Sequence, residues 1–262
     1  MARFQTAGAQ LSFEVVGKET DPLFVQLHGL TSSAWREHHA GLDVTGELSG
    51  FRVLRYDSRG HGSSTGRPVP DDYLWPQLAE DLLHLLEAVA PGETVHAGGP
   101  SMGAATQLCA ALEEPHRFAS LSLLVPPTVW STRTEQTDQY LRSAEVVEQH
   151  GVETFVRLTG SAPPPPAQAG RTRQLRPAVS PELLPAVLRG ASMTDLPAPE
   201  DLARLQVPVQ ILAWTHDAAH PVSSAETLHR LLPGSEFSIA ETPHDLATWP
   251  SRVASFVGQY RR

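Results

Sequence analysis

The chain has 262 residues, 40% of them hydrophobic and 19% charged, enough for one large globular domain with a sizeable core. Its formal charge is −9 and it holds no run of Lys or Arg, which argues against a nucleic-acid groove. No uninterrupted apolar stretch is long enough to span a bilayer, no apolar leader opens the chain, and the single cysteine, Cys109, has no partner for an internal disulfide, so a cytoplasmic protein is expected.

Residues 4–17 alternate apolar and polar around Ala7-Gly8, the pattern of a hairpin. The runs LFVQLHG (23–29) and FRVLRYD (51–57) are short and apolar enough for buried strands. Residues 71–90 place apolar side chains at helical spacing with acidic residues near the start. Then come a strand at ETVHAGG, a helix after Ser101 and a strand at LSLLVPP. Further strands are expected at VPVQILAWT (207–215) and SEFSIAET (235–242), with helices around the second of them. Strands alternating with helices predict a mostly parallel α/β sheet covered on both faces. Residues 128–203 break the alternation: they show helical patterns, four consecutive prolines at 163–166 and no convincing strand. They read as a helical cap or lid inserted into a core made of residues 1–127 and 204–262.

Chemistry concentrates at Gly99-Pro100-Ser101-Met102-Gly103, between a predicted strand and a predicted helix. A sharp turn there lifts the serine hydroxyl to the top of the sheet, and the glycines let backbone segments approach closely. Pro100 has no N–H but tolerates the end of a strand, and it stiffens the approach to the turn. A serine nucleophile needs a base and an orienting acid, in the chain order Ser, Asp or Glu, His. Asp217 in THDAAHPV and His244 in TPHDLATWP each follow a predicted strand, at the end of the sheet where ligands bind. Asp245 adjoins His244 and is poorly placed to orient it. His216 and His220, which flank Asp217, read as loop residues.

With these segments in place, the chain resembles the α/β-hydrolase fold superfamily, in its serine-hydrolase branch with a helical cap. HGL (28–30) resembles its oxyanion turn, YDSRGHGSS (56–64) its D-x-R-G-x-G-x-S loop and GPSMG its nucleophile elbow. The resemblance implies Ser101 as nucleophile, His244 as general base and Asp217 as the acid that orients it. It also implies an oxyanion hole from the backbone N–H groups of Leu30 and Met102. Three positions depart from the pattern: Pro100 before the nucleophile, Pro243 before the expected base, and Thr215-His216 before the acid. An aspartate nucleophile is excluded by Ser101, and no zinc-spaced Cys–His cluster is present, so no cofactor or metal is expected.

The remaining histidines read as structural. His28 shapes the oxyanion turn, His61 braces a loop with Asp57 and Arg59, and His96 lies on the strand before the elbow. The pair His38-His39 reads as an exposed helix face. Trp130, Tyr140, Phe155 and Met193 fall in or beside the insertion, where they line a pocket or form the cap's own core. The expected activity is hydrolysis of a small, partly apolar carboxylic ester, lactone or thioester through an acyl-enzyme. A C–C bond hydrolase, a lyase or cyclase, and a small-molecule binding protein on the same fold remain alternatives.

Overall fold

The computed structural model describes residues 1–171 and 176–261. Eight strands form one sheet: β1 (Ala2–Thr6), β2 (Ala9–Val16), β3 (Leu23–Gln26), β4 (Arg52–Asp57), β5 (Val95–Pro100), β6 (Phe118–Leu124), β7 (Val209–Trp214) and β8 (Glu236–Ala240). Their order is β1-β2-β4-β3-β5-β6-β7-β8. The first hairpin is antiparallel and pairs antiparallel to β4, and every later pairing is parallel. The predicted strands all form, with shifted ends: β6 starts three residues before LSLLVPP and stops at Leu124, and β5 runs on to Pro100.

Strands β3, β5 and β7 are buried along their whole length, as expected for strands covered on both faces. Their side chains sort by the two-residue period. Leu23, Val25, Ile211 and Ala213 pack with helices α2 (Trp75–Val89), α3 (Met102–Glu113) and α7 (Val222–Leu231). Phe24, Leu212 and Trp214 face the other way, against α9 (Trp249–Gln259) and the segment after the short helix α1 (Ala34–Ala40).

Between β6 and β7 the chain leaves the sheet. It forms a long helix, α4 (Arg133–Gly160), interrupted at Gly151 with φ 77°, then α5 (Leu184–Ser192) and the single turn α6 (Pro199–Leu202). Ala144, Val147, Phe155, Leu184, Val187 and Leu188 give this region its own small core. Backbone bonds of Ala178 tie it to the turns beside the sheet: Ala178 N–H donates to Thr31 O at 2.7 Å, and Gly62 N–H to Ala178 O at 2.6 Å. No helix among the described residues is long and apolar enough to cross a membrane.

Candidate active site

The elbow is built from small residues for a steric reason. A Cβ on Gly99 would sit 2.7 Å from Leu27 Cβ, and one on Gly103 would sit 2.8 Å from the same atom and 3.0 Å from His28 O. Strand β3 therefore passes against the turn as only glycine allows. Ser101 takes φ 52° and ψ −110°, a costly conformation for a side-chain-bearing residue. Its N–H is held by Leu124 O at 3.0 Å, and its carbonyl accepts the first bond of α3 from Ala105. The hydroxyl is left at the C-terminal end of β5.

Its partner is not the histidine that the sequence pattern favours. Ser101 Oγ lies 2.8 Å from Nε2 of His220, and His220 Nδ1 lies 2.8 Å from Oδ2 of Asp217. Asp217 also accepts from Trp214 Nε1 at 2.8 Å and from the Ala219 N–H at 3.0 Å. Burial acts to raise its carboxyl, but the neighbouring His220 and these hydrogen bonds outweigh it and hold the group down at about 2. An ionised Asp217 only accepts, so Nδ1 carries the imidazole proton and Nε2 is free to accept from the Ser101 hydroxyl. The loop is held by an edge-on contact of the Trp214 ring with His220, Trp214 itself stacking on Trp249. Pro221 follows His220 and favours an extended backbone there.

The expectation for His244 is corrected. His244 is exposed, in the first turn of α8 (Pro243–Ala247). The run Thr242-Pro243-His244-Asp245 is a helix start: Thr242 Oγ1 accepts from Asp245 N, and Asp245 Oδ2 accepts from the N–H groups of Thr242 and Glu241. This capping box begins a helix directly after β8 and leaves His244 out of the cavity around Ser101. The sequence carries two signals that favour His220 instead. It follows Asp217 by three residues in one turn, and TPHD reads as a capping box with Pro at the first helical position.

The turn at 28–30 packs against the elbow. A Cβ on Gly29 would be 3.8 Å from both Pro100 O and Ser101 Cβ. His28 is fully buried and its imidazole is pushed down to about 4 by burial, so it is neutral. It accepts from Ser58 N–H on Nε2 at 2.9 Å and therefore donates through Nδ1 to Gly29 O, also at 2.9 Å. In a trans peptide the N–H points opposite to the C=O. Fixing Gly29 O on His28 thus directs the Leu30 N–H away from the core. Neither that N–H nor the Met102 N–H, at the start of α3, has a hydrogen-bond acceptor among the described residues.

His61 is likewise buried and pushed down to about 3, its Nε2 accepting from Thr31 N. Arg59 is clamped by Asp81 through two bonds of 2.6 and 2.7 Å, and Asp57 accepts from Ala34 and Ser63. These loop residues brace the turns around the site. His96 bonds Ser120 Oγ inside the sheet, and His38 pairs with Asp43 at the surface; the side chain of His39 lies outside the described residues. No cluster of metal-ligating side chains occurs among the described residues.

Ser101 and His220 open into a cavity of about 400 Å³. Its apolar wall includes Leu30, Leu42, Val125, Phe155 and Trp214, and its polar wall includes Arg36, Glu37, Gln168 and Arg171. Phe155 is the member of the predicted cap set that reaches it. Tyr140 and Trp130 pack on the neighbouring cores and Met193 is exposed. Glu37 has no motif to announce it. It is 2% exposed, accepts the Gly29 N–H on Oε1 at 2.8 Å, and is pushed up to about 7, chiefly by burial.

Comparison with known proteins agrees with this architecture. A family model described as alpha/beta hydrolase fold matches residues 22–145. The chain is 25% identical over 245 residues to 3-oxoadipate enol-lactonase 1 of Acinetobacter baylyi, covering 90% of this chain and 87% of that protein. A hydrolase of Pseudomonas aeruginosa superposes with a TM-score of 0.82 at 26% identity, with 98% of each chain covered. The enol-lactonase of Burkholderia xenovorans superposes with a TM-score of 0.80 at 20% identity, over 98% of this chain and 100% of that one.

Proposed function

The chain belongs to the α/β-hydrolase fold superfamily, and on that premise we propose that it is a serine hydrolase cleaving a small carboxylic ester, lactone or thioester through an acyl-enzyme on Ser101. The observation that carries the reading is the unbroken chain of 2.8 Å contacts from Ser101 Oγ through His220 to Asp217, opening into a cavity. Ser101 Oγ attacks the acyl carbon while His220 Nε2 takes its proton. Asp217 keeps the imidazole in the reacting tautomer and balances the imidazolium. The oxyanion is held by the N–H groups of Leu30 and Met102, a type of contact worth roughly 2.7–4 kcal/mol per donor in the transition state. His220 then protonates the leaving oxygen or sulfur. Water, deprotonated by the same nitrogen, releases the acid and restores the serine.

His220 takes over the base role that sequence resemblance gives to His244. Residues 128–203 act as the cap: Phe155, Thr159, Gln168 and Arg171 supply cavity wall from that segment. The similarity to an enol-lactonase over most of both chains favours a lactone or ester among the acyl substrates.

The test is intact-mass analysis after treatment with a fluorophosphonate probe. One adduct is expected on the wild type and on His244→Ala, and none on Ser101→Ala. A wild-type protein that takes no adduct, or a Ser101→Ala variant that turns over esters at the wild-type rate, refutes the acyl-enzyme and moves a lyase or binding role ahead.

A further inference from the structure

The polar lining of the cavity holds two guanidinium groups that form no ion pair with an acid among the described residues. Arg36 projects from α1 and Arg171 follows the 3-10 turn Pro166–Gln168, and both line the same cavity as Ser101 and His220. Neither forms an ion pair with Asp or Glu among the described residues, and residues 172–175, Thr-Arg-Gln-Leu, include no acid. Arg36 donates to the backbone oxygen of Arg176, so a third positive charge stands beside it. Arg176 itself already holds Glu153 at 2.6 Å. The Arg171 guanidinium lies across Gly41, where any Cβ would collide with it.

The nearby acids are committed elsewhere. Asp217 serves His220, Trp214 and Ala219, and Asp43 serves Arg55, Thr45 and His38. Glu37 is buried against the Gly29 N–H and forms no ion pair with Lys or Arg among the described residues. A chain of net charge −9 thus presents a locally positive cavity wall beside its nucleophile. Like charges gathered without a counter-ion are unfavourable, and the planar fork of arginine matches a carboxylate with two parallel bonds.

We propose that Arg36 and Arg171 form a subsite for a carboxylate on the substrate, so that the ester or lactone hydrolysed here is an anion. This rests on the serine-hydrolase reading. The carboxylate sits at the arginine end of the cavity and the scissile acyl carbon at Ser101, which sets the substrate's direction and selects a chain that spans the two.

The experiment compares ethyl hydrogen glutarate with ethyl pentanoate, of equal acyl length and differing in a terminal carboxylate against a methyl group, by acid release in a pH-stat. The wild type is expected to favour the anionic ester in kcat/KM. Arg36→Ala and Arg171→Ala are each expected to lower the ratio of anionic to neutral kcat/KM about tenfold or more, mainly through KM, as loss of a charge-assisted contact predicts. Added salt should lower the same ratio in the wild type. Retained fluorophosphonate labelling of each variant shows that the fold and the nucleophile are intact. A wild type without preference, or variants that leave the ratio unchanged, overturns the subsite. A parallel calorimetric titration of Ser101→Ala with glutarate, alone and combined with each arginine substitution, needs no turnover. Glutarate binding lost with either arginine, in a protein that hydrolyses neither ester, keeps the subsite and rejects the hydrolase reading. No glutarate binding to Ser101→Ala rejects the subsite.

Discussion

Glu37 should make the stability of this protein depend on pH in a direction opposite to that of an ion-paired carboxylate. It is buried at the wall of the cavity, with one hydrogen bond from Gly29 N–H and another from Ser32. Of the charged groups around it, His220 from the loop after β7 favours its anion and Asp43 after α1 opposes it. Arg36 and Arg171 share the cavity, and neither forms an ion pair with it among the described residues. Burial dominates and lifts the carboxyl from an ordinary 4.5 to about 7. The folded protein therefore binds this proton more tightly than the unfolded chain does. The associated stability is full below pH 4.5 and is lost as pH rises through about 7. At about 1.4 kcal/mol per pH unit, a rise from 4.5 to about 7 corresponds to roughly 3 kcal/mol. Glu37→Gln keeps the oxygen that accepts from Gly29 and cannot ionise. Urea unfolding of both proteins across this range should show the variant gaining on the wild type by about 3 kcal/mol, the gap levelling above about pH 8. A constant gap, or one that opens only below pH 4.5, would refute the assignment of Glu37 as a buried acid held neutral.

Two further outcomes follow from the same contacts. His220→Asn should lower kcat by about 10²–10⁴-fold, the range for losing a general base, whereas His244→Asn should leave ester hydrolysis within about twofold; the reverse order in steady-state kinetics would restore the histidine loop to the base role. Asp81→Ala strands the buried Arg59 guanidinium, which Asp72 touches only at 3.6 Å, so a loss of about 3–5 kcal/mol is expected in urea unfolding, and a change below about 1 kcal/mol would show that the clamp is not needed.

The sheet was legible because its strands obey simple rules. The run VQILAW is apolar at five of its six positions and lies buried along its whole length, as a strand covered on both faces does. Ser101 was legible for a similar reason: a serine between glycines, after a strand and before a helix, meets constraints that the close approach of Leu27 makes physical. Asp217 was found from its place beyond β7, and the structure puts it within reach of an imidazole, though not the expected one. Arg36, Glu37 and Arg171 were not legible. Each is an ordinary residue on a helix or loop, and only the folded chain brings α1, the turn at 28–30 and the segment after Pro166 to one cavity.

The base shows how a pattern match and a geometric requirement can part. An imidazole serves Ser101 if one nitrogen reaches the hydroxyl and the other is fixed by an acceptor; the strand it follows is irrelevant to the proton. In THDAAHP the turn itself meets the second condition, since the His220 N–H bonds back to Asp217 O at 3.2 Å while the side chains meet three residues apart. On the proposed mechanism, acid and base then sit together on the end of β7, braced by Trp214 and Trp249. On that proposal the segment after β8 takes no part in the chemistry, and TPHD starts a helix there. Replacing Pro243 or His244 should therefore alter the stability of α8 more than it alters turnover. A substitution at Trp214, which removes a donor to Asp217 and the ring beside His220, should do the opposite. A Trp214→Phe variant keeps most of the packing and loses the indole N–H. Its carboxylate should hold protons more readily, so the acid limb that comes from protonating Asp217 should move up relative to wild type. An unmoved limb would mean that Trp214 only packs.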